Sequence, residues 1–184
     1  MDNKNDITHR TIFLRNFFFA HNKEEIQQAV TELAAFSHTP LPANTDWFKV
    51  EADFKRLFSK PTLSPAPPYA SAYINENSTK TSAALEIQNF YSFLGVKAPD
   101  SQAVDHLSHQ LNAYILLLKE QANRPRDQNL KNLQKKFIQV HLEQWLPKFI
   151  SAMRQEKDLP LAITMVTNSL ESWFKAEKIA LTNK

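Results

Sequence analysis

A single glycine in 184 residues, Gly95, constrains this chain more than any other feature. Tight turns and hairpins draw on residues with positive φ, which glycine adopts at no steric cost, so an all-β protein is hard to build from this sequence. The scarcity argues for helices. The ten prolines agree with that reading. They gather at positions 40–42, 61–68, 99, 125, 147 and 160, between longer segments with helical periodicity, and act as punctuation.

The apolar spacing predicts a first helix over 7–21, carrying Ile12, Phe13, Phe17 and Phe18 and partly apolar all round. Asn22-Lys23-Glu24-Glu25 then reads as a capping box, with a side-chain acceptor followed three residues later by Glu. The second helix runs to about Ser37 and turns Ile26, Val30, Leu33, Ala34 and Phe36 to one face. A third, over 45–58, is expected to bury Trp47, Phe48, Phe54, Leu57 and Phe58 and to leave Glu51, Lys55 and Arg56 outward. Residues 59–69 hold four of the ten prolines and cannot form a regular helix, because proline removes a donor and pushes its predecessor out of the α region. This stretch is either a spacer or an ordered functional loop.

A further helix over 79–94 points Leu85, Phe90, Tyr91 and Leu94 inward, with Gly95 where a left-handed residue ends a helix. From Gln102 to about Arg124 the pattern Val104, Leu107, Leu111, Tyr114, Ile115, Leu118 predicts a long amphipathic helix with Asp105 and His106 in its first turns. The polar stretch 124–129 is a candidate hinge. Asp127 is placed to cap the next helix, which carries Leu130, Leu133, Phe137, Ile138, Leu142 and Trp145 until Pro147 kinks it or opens a new one. The last helix starts around 158–160 and runs through Ile163, Val166, Leu170, Trp173 and Phe174. The expected fold is all-α: one bundle-like domain of seven to nine helices, with an N-terminal part over 1–124 packed against a C-terminal part over 125–184.

At 42% hydrophobic residues the chain can build a real core. It has no cysteine, which removes disulfides, thiolate catalysis and cysteine-based zinc sites together. The net charge of +3 is spread over many helices, so a pI near 9.0 is no nucleic-acid footprint. The longest apolar runs are far too short to span a bilayer, and no export signal opens the chain, so it is expected to stay in the cytoplasm.

Catalytic arrangements are missing. One glycine can form neither a phosphate-cradling loop nor a Gly-x-Ser-x-Gly elbow. His106 and His109, three apart, could share a metal with Asp105, but the spacing is weak and two histidines without a metal is the simpler reading. Asp105 and His106 are neighbours about 100° apart on a helix, unsuited to a proton relay, and Asp105 near a helix start suits a capping role. His141 and Trp145, at i and i+4, form a packing surface. Neither an enzyme nor a metal site is expected.

One ordered set of motifs goes further: Ala66-Pro67-Pro68-Tyr69-Ala70-Ser71, Phe90-Tyr91, Asp105-His106-Leu107-x-x-Gln110-Leu111, His141-Leu142 and Trp145-Leu146-Pro147. Together with Asp53-Phe54-x-Arg56-Leu57-Phe58, the set covers 53–149 and resembles the TorD/DmsD family of chaperones for molybdenum-containing redox enzymes. Residues 67–73 resemble the family's P-Y-x-S-V-Y element, and 105–111 its D-H-L-x-x-E-L signature, with Gln110 where Glu is usual. Asn112-Ala113-Tyr114 replaces the commoner aromatic-Met continuation, and Ser59-Lys60-Pro61 lacks the glycine often found after the Leu-Phe pair. These departures bear on which client is served.

The resemblance implies an all-helical cytoplasmic chaperone, a monomer or dimer, that binds the twin-arginine signal peptide of a molybdopterin-containing oxidoreductase. It would hold that client until its cofactor is inserted and export begins. A receptor for such a peptide needs acceptors beside an apolar groove. Asp105 is the expected acceptor near the arginines, His106 and Gln110 neighbouring polar contacts, and Tyr69 and Tyr73 amphipathic walls. No cofactor of its own is expected. Two rivals stand beside this reading: a helical protein handling guanine nucleotide or molybdopterin, and a scaffold that grips the mature part of the client.

Overall fold

Side-chain caps decide where the helices begin. In the computed structural model, which describes residues 4–60, 63–74, 80–99 and 104–182, Asn22 accepts from the Glu25 amide at 2.9 Å and opens α2 (Lys23–Phe36), which follows α1 (Lys4–Phe19). The Glu25 carboxylate reaches back to the His21 amide, so the expected box closes one residue early. Asp46 caps α3 (Trp47–Phe58), and Asp127 caps α6 (Gln128–Lys136). Between these lie α4 (Lys80–Phe93) and α5 (Leu107–Asn123); α7 (Leu146–Gln155) and α8 (Leu161–Thr182) complete the order. Among the described residues there are eight α-helices and no strand, as the glycine count implies.

Helix α1 runs through the middle of this arrangement, against α5, α2 and α8, and for that reason its sequence shows little sidedness. Phe17 and Phe18 meet Phe54 and Phe58 of α3 edge-on, and Phe18 meets Phe149 of α7 at 5.7 Å. On the far side Trp173 of α8 donates its indole hydrogen to Thr11 of α1 at 2.9 Å. Phe137 bridges α4 and α5 by an edge contact with Phe90 and a stack on Tyr114. The Tyr114 hydroxyl donates to the buried Glu177 carboxylate and accepts from Gln134, so these three side chains form one buried polar network. A single apolar cluster takes residues from both sides of the 124–129 link.

Several expectations are corrected. The long helix after residue 100 begins at Leu107: His106 is its N-cap and Asp105 lies outside it, so neither sits in its first turns, and Asp105 caps no helix. Phe48 is 72% exposed, because α3 buries Val50, Phe54, Leu57 and Phe58, and its ring lies instead beneath the Lys23 ammonium at 4.0 Å. Leu85 is also exposed, two positions from Ala83 on a helix whose inner face is Ala83, Ile87, Phe90 and Tyr91. The helix expected to run on to Trp145 stops at Lys136. A π turn over Phe137–His141 and a 3-10 turn over Leu142–Gln144 follow, and Pro147 opens α7. The expected helix starts at Thr79 and Gln102, and residues 61 and 62 of the proline-rich stretch, lie outside the described residues.

Gly95 ends α4 with φ of 69°, as its position implied. With no second glycine, the other two left-handed positions among the described residues fall to His38, after α2, and Asp158, between α7 and α8.

Candidate functional site

Residues 67–73 do not run free as a spacer. The Leu107 amide donates to the Pro68 carbonyl at 2.8 Å and the Ala70 amide to the Asp105 carbonyl at 3.2 Å, an isolated antiparallel bridge between Tyr69 and His106. Pro68 needs no partner for a hydrogen it lacks, so it serves as a pure acceptor here. The Asp105 carboxylate accepts from the Ser71 amide at 2.9 Å. A 3-10 turn, Ala70–Ala72, then carries the chain to Tyr73. Two motifs more than thirty residues apart in sequence are thus stitched into one unit.

That unit forms one wall of a cleft of about 320 Å³. Tyr69, His106 and His109 face the end of α1, where Phe19 and His21 form the opposite wall, and Phe54, Phe58 and Ser59 of the α3 end close the side. Rings dominate: Tyr69 meets His106 at 4.8 Å, Phe19 meets His21 at 5.1 Å and His109 at 6.2 Å. Among the described residues that line the cleft there is no Lys or Arg.

The electrostatics follow from burial. Loss of solvent, with smaller contributions from His109 and His21, pulls His106 down to about 3, and desolvation lowers His109 despite the opposing field of Asp105. Both imidazoles are therefore neutral at pH 7. His106 Nδ1 accepts from the Ser108 amide at 3.2 Å, which caps α5 and leaves the ring hydrogen on Nε2. Burial first, and then the negative charge of Asp105, raise Tyr69. The field of that buried carboxylate thus reaches two groups of the cleft wall.

The five expected site residues do not all share this cleft. Tyr69 and His106 line it, and Asp105 lies directly behind them, only 5% exposed. Gln110 is fully buried below: it donates to the Asp105 carbonyl at 2.5 Å and accepts from His141 at 2.8 Å. Tyr73 sits elsewhere, stacked on Trp145 with ring centroids 6.1 Å apart. Its hydroxyl is buried without a hydrogen-bond partner among the described residues, and burial pushes that phenol far up. Phe19 and His21 were missed by sequence reasoning. The one available signal was Phe19, at the end of a triple phenylalanine run whose first two members suffice for the core. Among the described residues no three His, Asp or Glu side chains are placed to share a metal.

Helices here present an ordered loop and a cleft walled by rings, a surface shaped for binding. A family model described as nitrate reductase delta subunit matches residues 20–151. Chaperone protein TorD of Actinobacillus succinogenes is 31% identical over 146 residues, covering 79% of this chain and 67% of the relative. Chaperone protein TorD of Vibrio parahaemolyticus is 26% identical over 155 residues, 80% of this chain and 72% of the relative. A crystal structure described as a candidate redox enzyme maturation protein from Archaeoglobus fulgidus superposes with a TM-score of 0.54 at 17% identity, covering 93% and 92% of the two chains. That last likeness is one of fold. The chain belongs to the TorD family, the chaperones of redox enzyme maturation, and is not an enzyme.

Proposed function

We propose that this chaperone works in the cytoplasm by binding the twin-arginine signal peptide of a molybdopterin-containing oxidoreductase in the cleft between Tyr69, His106, His109 and Phe19. One observation carries the reading: a buried carboxylate, Asp105, behind a wall of neutral rings with no cation among the described lining residues. A guanidinium flanked by apolar residues fits such a place, because its flat face stacks on rings while its charge is drawn by the carboxylate. The Nε2 hydrogen of His106 adds a donor for a peptide carbonyl. Asp105 and Gln110 act from behind the wall, by field and by support, rather than as surface contacts. Tyr73 supports the same loop through Trp145.

Reversible binding suits a client that must leave for export, and a micromolar constant needs about 8 kcal/mol, which a few anchors supply. Asp105→Asn keeps an acceptor for the Ser71 amide but removes the charge. Calorimetry with the signal peptide of a captured client should then show affinity lower by about tenfold, with the fold intact. Changing both peptide arginines to lysine should weaken binding similarly. Unchanged affinity in both arms contradicts the reading.

A second reading has its own observation: a cavity of about 480 Å³ between α5, α6 and the end of α8, lined by Lys131, Lys135 and four carboxamides. That lining suits an anion, and titration with guanine nucleotide and with molybdopterin tests it.

A further inference from the structure

His141 was expected to do no more than pack. The π turn over Phe137–His141 gives it a different placement: it is 1% exposed, between Phe90 and Phe137, with both ring nitrogens engaged. Nδ1 lies 2.7 Å from the Glu86 carboxylate of α4, which is itself about one third exposed. Nε2 lies 2.8 Å from Gln110 Oε1.

The orientation of the Gln110 amide is fixed by its other end, where Nε2 faces the Asp105 carbonyl, an obligatory acceptor. Turning the amide over would set two acceptors against each other there. Gln110 can therefore only accept from His141, and the carboxylate at Nδ1 can only accept too. Both ring nitrogens of His141 therefore face acceptors in this arrangement, one of them the Glu86 carboxylate.

The chain of bonds ends at the cleft. It runs from Glu86 through His141 and Gln110 to the Asp105 carbonyl, which also receives the Ala70 amide, while the Asp105 carboxylate receives Ser71. We propose that Glu86, His141 and Gln110 are positioning residues that clamp Asp105 and the turn at Tyr69 into the binding-competent shape, so that this chain of bonds controls the order of the cleft wall. The relevance to peptide binding rests on the reading above; the clamp itself does not.

The Gln at 110 acquires a reason. A carboxylate there would still accept from His141 but would have no hydrogen for the Asp105 carbonyl, whereas the carboxamide serves both. The charged groups facing the pair are Glu86 from α4 and, toward Glu86, Lys136 from the end of α6. The hydrogen bond from His141, with their mutual attraction and that of Lys136, holds Glu86 below its ordinary value against the desolvation that raises it. The clamp therefore weakens in acid, where Glu86 is protonated and its attraction for His141 is lost.

Amide hydrogen exchange at Ala70 and Ser71, read with imidazole nitrogen NMR of His141, tests this without any peptide. In the intact chain both amides should be protected, with the Nε2 hydrogen of His141 held in its bond to Gln110. Gln110→Glu should lower that protection about tenfold while α1 and α8 keep theirs. Glu86→Gln, at a partly exposed site, should lower protection at the same two amides and guards against a Gln110→Glu chain that fails to fold. Protection unaltered in either folded variant overturns the clamp. If the clamp passes and the wild type binds no twin-arginine peptide, the fault lies with the peptide reading.

Discussion

At the scale of single residues, His106 carries two duties that can be separated. Its Nδ1 caps α5, and its ring walls the cleft. Asparagine caps a helix well and has no ring, so His106→Asn is expected to keep the stability of the parent while weakening peptide binding. His106→Ala should lose the cap as well, costing about 1 kcal/mol in urea denaturation. The two variants should therefore bind alike and melt differently. Acidification gives a second test. His106 and His109 are held neutral by burial, so below their ordinary value near 6.5 the unfolded chain takes up protons that the folded chain refuses. These groups should lower stability steadily as pH falls from about 6.5 toward about 3, and His106→Asn should flatten that slope. The role of His106 as a cap was not legible in the sequence, because histidine is not among the residues that signal a helix start. Asp105 beside it drew that expectation instead, and the bond from Ser71, which decides the matter, spans 34 positions in the chain.

Among the elements, boundaries followed local chemistry wherever a short side chain capped a helix. Asn22, Asp46 and Asp127 each stand at a start, two of them marked in the sequence, and Gly95 stands at an end. The unforeseen elements are those set by tertiary contacts. The π turn over Phe137–His141 exists where Phe137, Ile138, His141 and Leu142 must all face inward, a pattern that reads in sequence as an ordinary apolar helix. The scarcity of glycine leaves a trace here too. His38 occupies the left-handed position after α2, with the Thr39 amide bonded back to the Ala34 carbonyl. Relief of that conformation is worth about 1–2 kcal/mol, against about 0.5–1 for the greater freedom of glycine when unfolded. His38→Gly should thus raise stability by roughly 0.5 kcal/mol in the same denaturation experiment.

For the whole molecule, helical class and family motifs were readable early, since glycine and proline placement act locally and the motif order survives any packing. The shape of the cleft was not readable, because it needs three segments remote in sequence: the end of α1, the end of α3, and the stitched pair at Tyr69 and His106. One apolar cluster runs beneath all three and continues past the 124–129 link, so the cleft is mounted on the core itself. The claim at the centre is that this cleft receives the arginine pair of a client's signal peptide. The most direct measurement is nitrogen and aromatic NMR of the intact chain during titration with such a peptide. The expected result is a saturable set of shifts centred on Phe19, His21, Tyr69, His106 and His109, reduced when both arginines are lysine. Saturable shifts centred elsewhere, with those five rings unmoved, would contradict it.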